Sequence, residues 1–147
     1  MKLLGLVIML FSLNVYSAKA VKEEVIYDWK PIKVIDGDTI KFEAEWVPKP
    51  IKPEISVRVL GIDTPEKKPR NKCDEEDALA QQASAFTKEA VAKAKLVQVK
   101  LDAWDKYGGR VLGYVIIDGK NLGDELIANG LARPYHGEAK SSWCKEK

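Results

Sequence analysis

VIYDWKPIKVIDGDTIKFEAEW, residues Val25–Trp46, sets the secondary-structure class of this chain. Val, Ile, Tyr, Phe and Thr crowd both sides of Asp36-Gly37-Asp38, and a glycine at the centre permits a tight reversal. The stretch therefore predicts two strands, Val25–Ile35 and Thr39–Trp46, joined as a hairpin. Next, VPKPIKPE, Val47–Glu54, carries three prolines that cannot donate ladder hydrogen bonds; it predicts an extended loop before a third strand over Ile55–Ile62. From about Asp74 to Lys95, Leu79, Ala83, Phe86, Ala90, Val91 and Ala94 recur mostly at steps of three and four, the pattern of an amphipathic helix. Leu96–Leu101 and Arg110–Ile117 read as strands four and five, with a loop between them. Leu122–Gly130 reads as a short helix stopped by Gly130. Five short strands with an inserted helix and a short C-terminal helix predict a mainly-β α+β fold, the five-stranded OB-fold barrel.

With 147 residues, 46% hydrophobic and 31% charged, the chain can bury one real core. The N-terminal MKLLGLVIMLFSLNVYSAKA has a lysine, a short apolar run from Leu3 and a small-residue end at Ala18-Lys19-Ala20. It is read as a signal peptide over residues 1–20, too short in its apolar part to span a bilayer, which leaves 21–147 as one exported domain, periplasmic or secreted. Its removal takes Lys2 and Lys19 from the 24 basic residues and nothing from the 22 acidic ones, so the remainder is formally neutral. A polyanion site must then be built from a few placed cations and not from bulk charge. Export also bears on Cys73 and Cys144, the two cysteines: an oxidising compartment favours a disulfide over free thiols, and two cysteines without a histidine cluster make a poor metal site.

The chemistry concentrates in VRVLGIDTPE, Val57–Glu66, an apolar strand that ends by placing Asp63 and Glu66 around a proline. As a bare turn this is ordinary, because Pro65 presets φ and Asp63 can accept nearby amides. Arg58 is less ordinary: alternation puts it with Leu60 and Ile62, and a cation on such a face needs a partner. If the strand ends meet, Asp38 and Asp63 bring two acids together, which repel unless a cation lies between them. Ligation by oxygen alone is the chemistry of Ca2+ or Mg2+, not of zinc.

VIDGDTI, RVLGIDTPE and DKYGGRVLGYV, in this order and spacing, closely resemble the staphylococcal nuclease-like (thermonuclease) family, over about Ile35 to Ala132. The resemblance implies an OB-fold, Ca2+-dependent phosphodiesterase acting on DNA and RNA. By the same resemblance Asp38 and Asp63 are Ca2+ ligands together with the carbonyl of Thr64, Glu66 handles the attacking water, and Arg58 and Arg110 grip the phosphate. The family motif reads Asp-Lys-Tyr-Gly-Arg, so Gly109 lengthens this loop by one residue, which a flexible glycine can absorb. The Cys144 tail is expected to pin the C-terminus to the loop after Glu66.

Lys106 and Tyr107 match family positions near the nucleotide, and Tyr135 is a second candidate platform for an unstacked base, so single strands are the expected partners of a monomer that keeps no membrane contact. His136, the lone histidine, has no nucleophile to serve and reads as a loop residue, while Trp29, Trp46, Trp104 and Trp143 read as core or rim packing. A non-catalytic OB module binding nucleic acid or protein is the alternative; it predicts eroded acids, yet Asp38, Asp63 and Glu66 all stand. An exported domain with a purely structural Ca2+ would leave Arg58 and Arg110 without a task.

Overall fold

The computed structural model describes residues 24–145, so the expected signal peptide lies outside the described residues. Along the chain the elements are β1 (Ile26–Asp28), β2 (Pro31–Asp36), β3 (Thr39–Glu43), β4 (Glu54–Val59), β5 (Ile62–Asp63), α1 (Asp74–Lys93), β6 (Val97–Trp104), β7 (Arg110–Ile117), β8 (Lys120–Asn121), α2 (Leu122–Ala128) and β9 (Arg133–Pro134). The main sheet runs β1-β6-β7-β4-β3-β2, with β8 on β7, and β5 pairs separately with β9. Its neighbours are antiparallel except β4 and β7, which run parallel. The fold is a mainly-β α+β arrangement of OB-fold type, although among the described residues no ladder joins β1 to β2 to close a barrel.

Five strands, β2, β3, β4, β6 and β7, answer the five expected, and the differences have local causes. Val25–Ile35 is two strands because the chain changes partner: the Trp29 N–H donates to the Val97 carbonyl at 3.2 Å, whereas the Lys30 carbonyl accepts from Glu43 at 2.9 Å. Pro31 follows, with no N–H to continue the first ladder. Ile55–Ile62 breaks where Gly61 takes a φ of +82°, and the residues beyond it turn away to pair with β9. The fourth strand runs past Leu101 to Trp104 through a register shift against β7, so part of the expected loop is strand.

Alternation does the core building. In β4, Ile55, Val57 and Val59 point inward and pack with Ile40, Phe42, Val99, Val115, Leu122 and Leu126, all buried. Trp29 lies partly buried against that cluster.

Helix α1 fixes the hairpin turn from outside the sheet. A Cβ on Gly37 would sit 2.8 Å from the Ala83 Cβ, so only glycine lets the turn approach the helix this closely. One turn further along, the buried Thr87 hydroxyl donates to the Gly37 carbonyl at 2.7 Å. At its other end the helix organises the loop that leaves β5. The buried Glu76 carboxylate accepts the backbone N–H groups of Glu66 (3.3 Å) and Lys72 (2.6 Å), and Asp77 accepts that of Lys68 at 2.9 Å. Cys73, the N-cap of α1, is disulfide-bonded to Cys144, with Cα atoms 5.9 Å apart.

Thr87→Val keeps the side-chain shape but leaves the Gly37 carbonyl unpaired. It should cost about 1–3 kcal/mol in urea unfolding; a variant as stable as the parent would show that the turn does not depend on this bond. Closing a loop of roughly 70 residues constrains the unfolded chain by about 4 kcal/mol in the chain-entropy treatment. Reduction, or Cys144→Ser, should accordingly lower the melting temperature by several degrees. Thiol counting on unfolded, unreduced protein checks the bond itself, which predicts no reactive thiols.

Candidate functional site

Period-two alternation puts Val57, Val59, Val111 and Val115 in the core, so their neighbours face outward. The parallel register sets Ser56 beside Arg110 and Arg58 beside Leu112. Both arginines thus share one face of two adjacent strands. Over this face opens a groove of about 750 Å³, floored by Arg58, Arg110, Leu112 and Tyr114 and walled by Leu60, Gly61, Glu66, the 104–107 segment, Tyr135, His136 and Lys140.

Two guanidinium groups on one face repel each other unless carboxylates lie near them. Asp38 supplies one: its Oδ2 lies 3.4 Å from Arg58, its Oδ1 accepts the Thr39 hydroxyl at 2.9 Å, and its carbonyl accepts the Val59 N–H at 2.8 Å. This is the partner that Arg58 requires. Asp105 supplies the other, accepting from the Arg110 Nε. Burial alone would push the Asp105 carboxyl up, but the hydrogen bond and charge of Arg110, with the Tyr107 N–H and the charge of Arg58, outweigh it and hold the group below the ordinary aspartate value. The hydrogen bond to Asp105 runs through Nε, and Arg110 lines the groove. The additional Gly109 is absorbed because Gly108 and Gly109 both take positive φ, +70° and +71°, and Arg110 still reaches the groove.

Asp38 and Asp63 are each only 5% exposed, and Thr64, next to Asp63 in sequence, is buried too. Asp63 is held in β5 opposite Arg133. Its Oδ2 accepts the indole N–H of Trp143 at 3.2 Å; its Oδ1, sealed from solvent, has no hydrogen bond of proper geometry and lies 2.5 Å from the Lys140 ammonium. Glu66 is paired with Arg70 at 3.0 Å and lies 3.8 Å from Lys140. The donors are oxygens throughout, and a sealed carboxylate oxygen satisfied only by a cation is what a hard divalent ion would satisfy as well, so these residues fit one. They are not drawn into a single tight cluster, however. Among the described residues, the acidic or cysteine group whose ligand atoms lie within 4.8 Å of one another is Cys73, Glu76 and Cys144, whose sulfurs are bonded to each other.

Aromatic rings line the mouth. Tyr107 is 78% exposed with the Lys106 ammonium 5.0 Å from its ring centre, and Trp104 beside it is 69% exposed. Tyr135, its N–H bonded to the Gly61 carbonyl at 2.9 Å, has Lys140 at 5.8 Å from its ring. By sequence Trp104 and Trp143 are core or rim packing residues and His136 a loop residue, and His136 does lie in the loop after β9. Trp104 and His136 line the groove, and Trp143 reaches Asp63. Lys140 and Asp105 were missed. Asp105 stood in the quoted motif DKYGGR, and the expected tie between Cys144 and the segment after Glu66 was the signal that the tail would reach this site.

The family described as staphylococcal nuclease homologue matches residues 56–147. This chain belongs to that family. The matched span takes in Arg58, Asp63, Thr64, Glu66, Lys106, Tyr107, Arg110 and Tyr135 and runs past Ala132, but it begins after Asp38. Endonuclease YncB of Bacillus subtilis (strain 168) is 40% identical over 104 residues, 69% of this chain and 44% of its own length. The SPbeta prophage-derived endonuclease YokF of the same organism is also 40% identical over 104 residues, 69% of this chain and 32% of its own. An uncharacterized protein of Methanocaldococcus jannaschii is 32% identical over 149 residues, covering 85% of this chain and 67% of its own. The chain thus spans less than half the length of the two endonucleases it matches.

Because Asp105 is held below its ordinary value, its contribution to stability is complete above about pH 4, the unfolded aspartate range, and fades as pH falls through the lowered folded value. The stability gap between the parent and Asp105→Asn should therefore be constant from pH 7 to about 5 and shrink in more acidic solution. Denaturant unfolding at stepped pH checks this, and a gap that widens on acidification would contradict it.

Proposed function

We propose that this chain is a metal-dependent phosphodiesterase that cleaves DNA and RNA, single strands preferred. The observation that carries this reading is the presence of Arg58 and Arg110 on one face of β4 and β7, under a groove that also holds Glu66 and adjoins the buried Asp38 and Asp63. Metal dependence is general in this family, and two relatives are named endonucleases, which supports a nucleic-acid substrate.

Asp38, Asp63 and the Thr64 carbonyl are the residues that would hold the ion, proposed to be Ca2+. When bound, such an ion draws charge from a phosphoryl oxygen and acidifies water. Arg58 and Arg110 bind the scissile phosphate through their planar forks, which match phosphate oxygens two at a time and counter the extra charge of the transition state. Glu66 orients the attacking water and accepts its proton. Attack at phosphorus breaks the bond to the 5′ oxygen, which leaves with a proton, so the products are a 3′-phosphate and a 5′-hydroxyl. Lys106 and Tyr107, with Tyr135, hold the flanking phosphate and bases, and an unpaired strand presents those bases freely. Residues 1–20 direct export to the periplasm or the medium, and the domain acts as a monomer without membrane contact.

Heat-denatured DNA should be degraded with Ca2+ and spared with a chelator, and the new ends should refuse polymerase extension until treated with phosphatase. Arg58→Ala should lower kcat by about 10²–10³-fold, the loss typical of one preorganised charge-stabilising donor, with an unchanged circular dichroism spectrum. Full turnover in excess chelator, or in the arginine variant, would overturn the reading.

A further inference from the structure

The tail after β9 is built into the acid site. Trp143 donates to Asp63 Oδ2 at 3.2 Å and lies against Arg133, whose guanidinium carbon is 3.8 Å from the ring centre. Arg133 also donates to the Ser142 carbonyl at 2.9 Å, and Cys144 is bonded to Cys73 at the start of α1. Anchored on both sides, this segment delivers the Lys140 ammonium to 2.5 Å from Asp63 Oδ1 and 3.8 Å from Glu66 Oε1. No other cation is within ion-pair reach of Asp63 among the described residues.

We propose that Lys140 is a built-in counter-ion for the metal-free site: it neutralises Asp63 and Glu66 until a divalent cation displaces it, and then its ammonium serves the groove that its side chain already lines. This deepens the metal-dependent reading above and rests on it. The physical argument is competition for one carboxylate oxygen. Asp63 Oδ1 is closed to water, so without a cation it would be a buried uncompensated charge. An ammonium on a flexible stem fills that need and can leave, since the Lys140 side chain is 41% exposed and four carbons long. An arginine would be harder to displace, because its fork can hold both oxygens of a carboxylate. Lys140 is thus a positioning residue that sets the affinity for metal, and the disulfide sets how strongly it competes by holding it in place.

The test compares parent, Lys140→Met and Lys140→Arg by calorimetric Ca2+ binding and by melting temperature with and without Ca2+. Lys140→Met should melt lower without metal, bind Ca2+ about five-fold more tightly, in line with the loss of an ion pair of this kind, and show the larger Ca2+-induced rise in melting temperature. Lys140→Arg should bind Ca2+ no better than the parent. Reducing the disulfide should tighten Ca2+ binding in the parent and not in Lys140→Met. Equal or weaker Ca2+ binding by Lys140→Met, in protein whose parent binds Ca2+ and cleaves DNA, would overturn this proposal and leave the nuclease reading standing. A parent that neither binds Ca2+ nor cleaves DNA would overturn both.

Discussion

The parallel pairing of β4 with β7 is the constraint on which the rest depends. It places Val57 beside Val111 and Arg58 beside Leu112, and with a period of two this one register decides which residues enter the core and which enter the groove. A slip of one residue between them would turn one strand's arginine into the core and its valines outward. The core therefore enforces the site: the apolar face cannot be satisfied without presenting both guanidinium groups to the same space.

A carboxylate cut off from water needs a cation or hydrogen-bond donors, and cations meet that need around this space. Asp38 is paired with Arg58, Asp105 with Arg110 and Asp63 with Lys140. The pairs differ in what they can release. Asp105 holds its arginine by a hydrogen bond from Nε, whereas Asp63 faces an ammonium on a movable stem. Glu66 stands on a loop pinned from behind by Glu76 and Asp77 through backbone hydrogen bonds, so its position is owed to the first turn of α1 and not to β5.

What could be read from the sequence followed locality. Helix α1 was legible from its apolar spacing, and the hairpin from a glycine between acids flanked by β-formers. Arg58 was legible because a cation in an apolar strand demands a reason. The division of Val25–Ile35 was not, since the exchange of partners between Trp29 and Lys30 depends on where β6 and β3 lie. Nor was the full reason for Gly37, whose missing side chain makes room for Ala83 far along the chain. Lys140 sits in a polar stretch without periodicity, and only the bond between Cys73 and Cys144 gives it an address. The signature motifs held the groove's arginines, while its remaining wall was written in a tail that reads like an ordinary surface.

The crossover between β4 and β7 contains α1 and β6, so the two arginines meet only after a long excursion of the chain. Pairing across such a separation comes late, because loop closure must precede any reward from contact. A nascent chain grown as far as α1 already carries Asp38, Arg58, Asp63 and Glu66, yet it has no opposite wall, no second guanidinium group and no anchored tail. Whatever the groove does to a polyanion is therefore a property of the completed fold alone, and synthesis itself acts as a delay before the site exists.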